Sequence, residues 1–160
     1  IAAMKDSRVG AMGVQSLAII LILQIAAIMK LSFFAPIAFP LAAFWGRMSQ
    51  IFAIEHYEYL FKKESCSIHH ENWKGLSKEI RPSLIILSIG IVFFLFLNRL
   101  NISNALLLIY CILSGLITSI LIPNLINKSL GGHNGDSYGA SLVITETTNL
   151  LLLSIILVPN

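Results

Sequence analysis

A chain of 160 residues with 56% hydrophobic and only 12% charged side chains cannot cover itself with a polar surface, since an average soluble domain is roughly a quarter charged. These proportions exclude a soluble globular enzyme and predict an all-α, polytopic membrane helix bundle, the length sufficing for about five spans of ~20 residues. The formal net charge of +3 is modest, no nucleic-acid partner is expected, and the placement of the charges says more than their sum.

The chain opens on Ile1 with no basic n-region or small-residue cleavage site before it. A truncated start is therefore expected, with residues 1–160 forming a single membrane-embedded domain, the C-terminal part of a longer protein. The first apolar run covers 11–29. The second covers 31–54, kinked by Pro36 and Pro40 and carrying Arg47 within it. A polar stretch, 55–81, follows. In it Trp73, Leu76 and Ile80 recur at helical spacing, which predicts an amphipathic helix lying along the headgroups. His56, Tyr57 and Tyr59 read as an aromatic belt at the end of the second span. The third span is expected near 83–100, the fourth near 105–122 and closed by Pro123, and the fifth near 139–158.

Counting Lys and Arg in alternate loops fixes an orientation. With a cytoplasmic N-terminus, that side carries Lys5, Arg8, Lys62, Lys63, Lys74, Lys78, Arg81 and Lys128, whereas the other carries Lys30 and Arg99. The bias matches the positive-inside rule for a multi-pass membrane protein with a cytoplasmic active face. It also puts the opening segment, the 55–81 loop and the loop before the fifth span on one face, as an active site built from cytoplasmic loops requires.

Two segments carry chemistry. In Met4-Lys5-Asp6-Ser7-Arg8-Val9-Gly10, Lys5 and Arg8 suit phosphate oxygens, with the Ser7 hydroxyl beside them. Asp6 suits Mg²⁺, a hard cation that bridges carboxylates to substrate phosphates. The alternative is a charge cluster that only anchors topology. The second segment, GGHNGDSYGASLVITE at 131–146, interrupts two apolar runs with Gly131, Gly132, Gly135 and Gly139. Glycine loops leading into a helix form anion-binding concavities. Asp136 either caps that helix or joins the chemistry, and Glu146, beside Thr145, Thr147, Thr148 and Asn149, is costly enough within a span to indicate function. On one straight helix the two carboxylates would stand ~15 Å apart. Either the helix breaks or their roles differ.

The remaining candidates divide. Arg47 either faces the bundle as a phosphate or carboxylate ligand or snorkels toward the interface. Cys66, His69 and His70 have soft-metal chemistry but no completing cluster, and Cys111 reads as a buried apolar residue, so no disulfide is expected. His133 either donates to a phosphate or tolerates the turn.

Together the two segments resemble the cobalamin synthase family, the membrane-bound adenosylcobinamide-GDP ribazoletransferases. MKDSRVGAMG is similar to that family's Met-Lys-Asp-Ser-Arg-Ile/Val-Gly element. GGHNGDSYGASLVITE is similar to its Gly-Gly-x-x-Gly-Asp-x-x-Gly-Ala element with a later glutamate, and KGLSKEI at 74–80 is a weaker echo. The resemblance runs through the whole chain in order and spacing.

It implies a Mg²⁺-dependent reaction in which the 5′ oxygen of α-ribazole, or its phosphate, attacks the cobinamide-linked phosphoryl group of adenosylcobinamide-GDP and releases GMP. It implies Asp6 and Asp136 as metal-site or phosphate-site acids and Lys5 and Arg8 as phosphate ligands, to which the residue reading adds Ser7 and Arg47 as candidate substrate ligands. Gly131, Gly132 and Gly135 become the substrate loop, with Asp136 and Glu146 as the catalytic pair. Two departures stand out: the family's upstream aspartate-rich element lies outside this chain, and His133-Asn134 replaces an apolar residue and Thr. The rival readings are a small transporter or channel subunit and a CDP-alcohol-type phosphotransferase. Nearly pure Leu/Ile third and fourth spans, with polar groups gathered at one face, favour the enzyme.

Overall fold

The computed structural model describes residues 10–60, 73–97 and 102–158. Five α-helices make up almost all of it: α1 (Ala11–Leu31), α2 (Ala35–His56), α3 (Leu76–Leu97), α4 (Ile102–Leu130) and α5 (Gly135–Leu157). A 3₁₀ turn, Ser32–Phe34, joins α1 to α2. Among the described residues the only extended pairing is a single parallel bridge between Tyr59 and His133. The chain is all-α.

Among the described residues, three helical stretches are long and apolar enough to cross a bilayer: Ala11–His56, Leu106–Leu130 and Gly135–Leu157. The first would measure ~69 Å if straight, more than twice the ~30 Å of a hydrocarbon core. It reverses instead. Ser32 takes φ 46° and ψ −110°, a left-handed corner that closes α1, and Pro36 sits in the first turn of α2, where its missing N–H costs nothing.

Contacts with α5 show the reversal. Gln24 of α1 bonds to Thr147, and Ala27 and Leu31 lie in one cluster with Leu150 and Leu153, so α1 runs parallel to α5. Along α2 the order is opposite: Ala38 and Ala42 meet Leu150 and Leu153, Gly46 meets Leu142 and Glu146, and Ala53 and Ile54 meet Tyr138.

The α2–α5 seam is built from small residues. Ala38, Ala42, Gly46, Ser49 and Ala53 recur every three or four positions and are all buried. A Cβ on Gly46 would stand 2.9 Å from the Leu142 carbonyl oxygen, so the backbones touch. In lipid, where no hydrophobic force draws helices together, such close packing and interhelical hydrogen bonds drive association. Asn149 supplies one such bond, its Nδ2 donating to Thr118 Oγ1 of α4 at 2.6 Å. Outward-facing Leu17, Ile22, Ile25, Ile86 and Ile89 are all more than half exposed, which suits hydrocarbon as the surrounding solvent.

Three expectations about the helices change. The Trp73–Leu76–Ile80 stripe does not lie along the headgroups: Leu76 and Ile80 pack on the cluster of Trp45, Met48 and Ile51, and Trp73 Nε1 donates to Glu55 Oε2 at 2.7 Å. Leu76 and Ile80 lie in the opening turns of α3, which passes through Pro82 without a break, and Trp73 precedes it. Pro123 does not close α4, which continues to Leu130, because within a bilayer a helix is the cheapest way to satisfy the backbone beyond it. Finally, α5 starts at Gly135 rather than Gly139, placing Asp136 inside its first turn.

A candidate active site at one end of the bundle

Because α2 and α4 end where α5 begins, the 131–134 loop is pressed against the tail of α2. Gly131 terminates α4 with φ 74°, its N–H donating to the Asn127 carbonyl at 2.8 Å, the left-handed cap that favours glycine. At Gly132 the reason is proximity: a Cβ would stand 2.9 Å from the Glu58 carbonyl oxygen and 2.8 Å from Leu60 Cδ2. His133 N–H then donates to Glu58 O at 2.9 Å, and Leu60 N–H donates to His133 O at 2.8 Å.

Asn134, not Asp136, caps α5. Its Oδ1 accepts from Ser137 N–H at 2.8 Å, while its own N–H donates to Ser137 Oγ at 2.8 Å. This reciprocal box satisfies two of the donors a helix start leaves open. Asp136 is thereby free of capping duty. Its carboxylate is exposed, with no hydrogen bond or ion pair among the described residues. It opens onto a cleft of about 480 Å³ whose walls include Leu125, Ile126, Leu130, Ala140 and Ile144.

The neighbouring small residues leave this turn bare. Gly135 and Gly139 are exposed, and a Cβ at either would meet nothing within 4 Å. Packing therefore does not demand glycine there. The helix start presents backbone N–H groups and the positive end of its dipole beside a lone carboxylate, an arrangement able to take a phosphate and a cation together.

Glu146 stands apart from this end. The helix between it and Asp136 is unbroken, so the carboxylates are ~15 Å apart along the axis and cannot share an ion. Glu146 is half-buried against α2 at Gly46. Arg47, beside that contact, points outward and its Nη1 donates to Gln50 Oε1 at 3.0 Å. It is level with Leu142–Glu146, about 9–15 Å deeper than Asp136, and the structure does not bring it to the glycine loop. Cys111 is a buried member of the apolar core. Lys5, Asp6, Ser7 and Arg8 lie outside the described residues, as do Cys66, His69 and His70; α1, parallel to α5, begins after Gly10 at the same end as the loop.

His133 binds no phosphate in this arrangement. Its ring is fully buried, with Nε2 3.1 Å from Pro123 O and Nδ1 3.1 Å from Ser137 Oγ. It stacks on Tyr57 and Tyr138 at centroid distances of 5.2 and 5.4 Å, and Tyr59 stacks on Tyr138 beyond. Tyr57 and Tyr59 are thus the wall of the loop rather than a headgroup belt. Burial pushes the His133 pKa below its ordinary value, partly offset by the bond to Pro123. The replacement of an apolar residue by His133 alters the support of the loop, not its ligand-facing side. The Asn134-x-x-Ser137 spacing was the available signal for the true helix start.

A family model for cobalamin-5-phosphate synthase matches residues 1–154 of this chain. The chain belongs to that family. It is 48% identical to the adenosylcobinamide-GDP ribazoletransferase of one Prochlorococcus marinus strain, over 98% of this chain and 61% of the relative. To the enzyme of the same name from a second strain it is 40% identical, over 97% and 60%. To that of Thermosynechococcus vestitus it is 34% identical, over 94% and 55%. The chain thus spans about three-fifths of the length of the curated relatives it matches. No solved structure matches it.

The donor set can be tested against the Mg²⁺ that the family resemblance implies. Among the described residues no three His, Cys, Asp or Glu side chains gather as a metal cage. Among the described residues, Asp136 alone offers a hard, unpartnered oxygen beside the loop. That fits Mg²⁺, which keeps much of its water and is usually held by one or two carboxylates plus substrate phosphates.

Proposed function

We propose that this chain carries the reaction end of an adenosylcobinamide-GDP ribazoletransferase. A ribose hydroxyl of α-ribazole, or of its 5′-phosphate, attacks the cobinamide-linked phosphorus; the bond from that phosphorus to the bridging oxygen breaks, GMP leaves, and the attacking hydroxyl loses its proton. The observation that carries this reading is Asp136, lone and exposed in the glycine-bared first turn of α5, in a chain of this family.

Phosphoryl transfer asks the protein chiefly for positioning and for groups that offset charge on the transferred phosphoryl. Asp136 and Asp6 would hold Mg²⁺, which would supply that charge compensation. The backbone N–H groups of Gly135 and Asp136 face the phosphates, and Gly131 and Gly132 shape the approach. Lys5, Ser7 and Arg8 bind the phosphate chain. Arg47 and Glu146, further along the bundle from the loop, act away from the transferred phosphorus, Glu146 as a half-buried acid or base. The face is cytoplasmic, as the eight-to-two Lys/Arg bias supports, and the membrane is the bacterial inner membrane, in keeping with the bacterial relatives.

The test is GMP release from adenosylcobinamide-GDP and α-ribazole with Mg²⁺, in membranes holding this chain with its natural upstream sequence. Release absent from vector-only membranes is expected. No release from inserted, intact protein would overturn the reading.

A further inference from the structure

His133 is a titratable side chain that the proposed chemistry does not use, yet it touches every element that frames Asp136. Its Nε2 faces the Pro123 carbonyl of α4 at 3.1 Å. A carbonyl only accepts, so that nitrogen carries a proton. Nδ1 faces Ser137 Oγ of α5 at 3.1 Å. The same hydroxyl oxygen accepts from Asn134 N–H at 2.8 Å, and its own hydrogen has two acceptors in reach, Asn134 O at 3.0 Å and His133 Nδ1 at 3.1 Å. Burial favours the neutral ring, and with Nε2 protonated Nδ1 is then the acceptor, so the chain runs Asn134 N–H to Ser137 O–H to His133 Nδ1, and His133 Nε2–H to Pro123 O.

The faces of the imidazole are held as firmly as its edges. Tyr57, from the tail of α2, stacks at 26° and Tyr138, from α5, at 5°. The backbone of the same residue is bonded on both sides to the 58–60 tail. One residue thus couples α2, α4 and α5, and Ser137, its partner in the first turn of α5, adjoins Asp136.

We propose that His133, as a neutral imidazole with its proton on Nε2, is the positioning residue for the Asp136 carboxylate. By holding Ser137 it keeps the Asn134–Ser137 box closed, and the closed box fixes the turn from which Asp136 projects. Groups that orient a metal-site ligand change metal affinity or activity by roughly 10–100-fold when lost. This role of His133 rests on the reading of Asp136 as a Mg²⁺-site acid; its tautomer does not.

The experiment has two arms, both on the full chain with its natural upstream sequence in lipid nanodiscs. In the first, ¹⁵N-histidine spectra of wild type and His133→Gln identify the His133 ring as the resonance the variant loses. At neutral pH it should show a protonated Nε2 and an unprotonated Nδ1. A proton on Nδ1, or a charged ring, overturns the proposal.

In the second, the Mg²⁺ concentration for half-maximal GMP release is measured for His133→Phe, Asp136→Asn and the double variant. His133→Phe keeps the stack and loses both bonds, so its midpoint should rise roughly 10–100-fold. In the Asp136→Asn background it should add little, because residues acting through one group are not additive. An unchanged midpoint, or effects that multiply, overturns it. If wild type releases no GMP, the transferase reading fails, and the spectra alone decide the tautomer.

Discussion

Asp136 and Glu146 stand on one unbroken helix, about 15 Å apart along its axis, the first exposed at the bundle's end and the second half-buried against Gly46. Substitutions at the two should therefore be separable. Asp136→Asn should cut GMP release by roughly 10²–10³-fold, the scale of losing one preorganised charge-handling group. It should leave membrane insertion intact, because no described residue bonds to that carboxylate. Glu146→Gln should leave the Mg²⁺ midpoint where it was. A shared shift in midpoint, read from turnover against Mg²⁺ concentration, would show that both address one ion.

The glycines of the loop differ in what they serve. Gly132→Ala puts a Cβ against the Glu58 carbonyl, backbone that cannot rotate away, and should destabilise by about 1–3 kcal/mol as overpacking does. Gly135→Ala meets nothing within 4 Å and should hold or slightly raise stability, Ala being favoured over Gly in a helix by about 0.5–1 kcal/mol. Its turnover should nonetheless fall, with a raised KM, if substrate phosphates approach that backbone. Thermal unfolding in detergent and steady-state kinetics together separate the two.

Gly46→Ala tests the seam that carries the site. The added Cβ would lie 2.9 Å from Leu142 O and 3.3 Å from Glu146 Cβ. A loss of about 1–3 kcal/mol is expected, the penalty for forcing two packed backbones apart, seen as a lower unfolding temperature. An unchanged temperature would mean that α2 and α5 do not touch there.

What was legible in the sequence follows the physics of each signal. Apolar length and the Pro36 break are local, and α1 and α2 can be read from them. Glycines and an acid between apolar runs are equally local, and Asp136 could be found without a fold. The Trp73–Leu76–Ile80 period marks an apolar face but not what covers it; Met48 and Ile51, more than twenty residues upstream, make the cover α2 rather than lipid. The Ala38–Ala42–Gly46–Ser49–Ala53 stripe reads as an interface only once α5 is known to lie on it. Pro123 reads as a stop because the rule comes from water, where a broken helix can bond to solvent. His133 has the polarity of a ligand, and only the slot between Tyr57 and Tyr138 turns it inward.

Acid should loosen the loop before it unfolds the bundle. His133 is held below its ordinary pKa of 6.5 by burial, while the same ring in an opened loop titrates normally. Above 6.5 both forms are neutral and the ring's contribution to the closed loop is complete. As pH falls below 6.5 the opened form takes up a proton that the closed form refuses. Closure therefore weakens from 6.5 downward until the folded pKa is passed. The groups facing the ring, Tyr57 and Tyr138, stay neutral throughout this range, so they do not reverse the sign. Hydrogen exchange at the Leu60 and His133 amides, which bond across the loop, should accelerate on acidification relative to amides in the middle of α5, after correction for intrinsic rates. In His133→Gln, which has no proton to gain, the difference should not depend on pH. A wild-type loop whose relative protection is flat through this range would remove His133 protonation from the loop's stability.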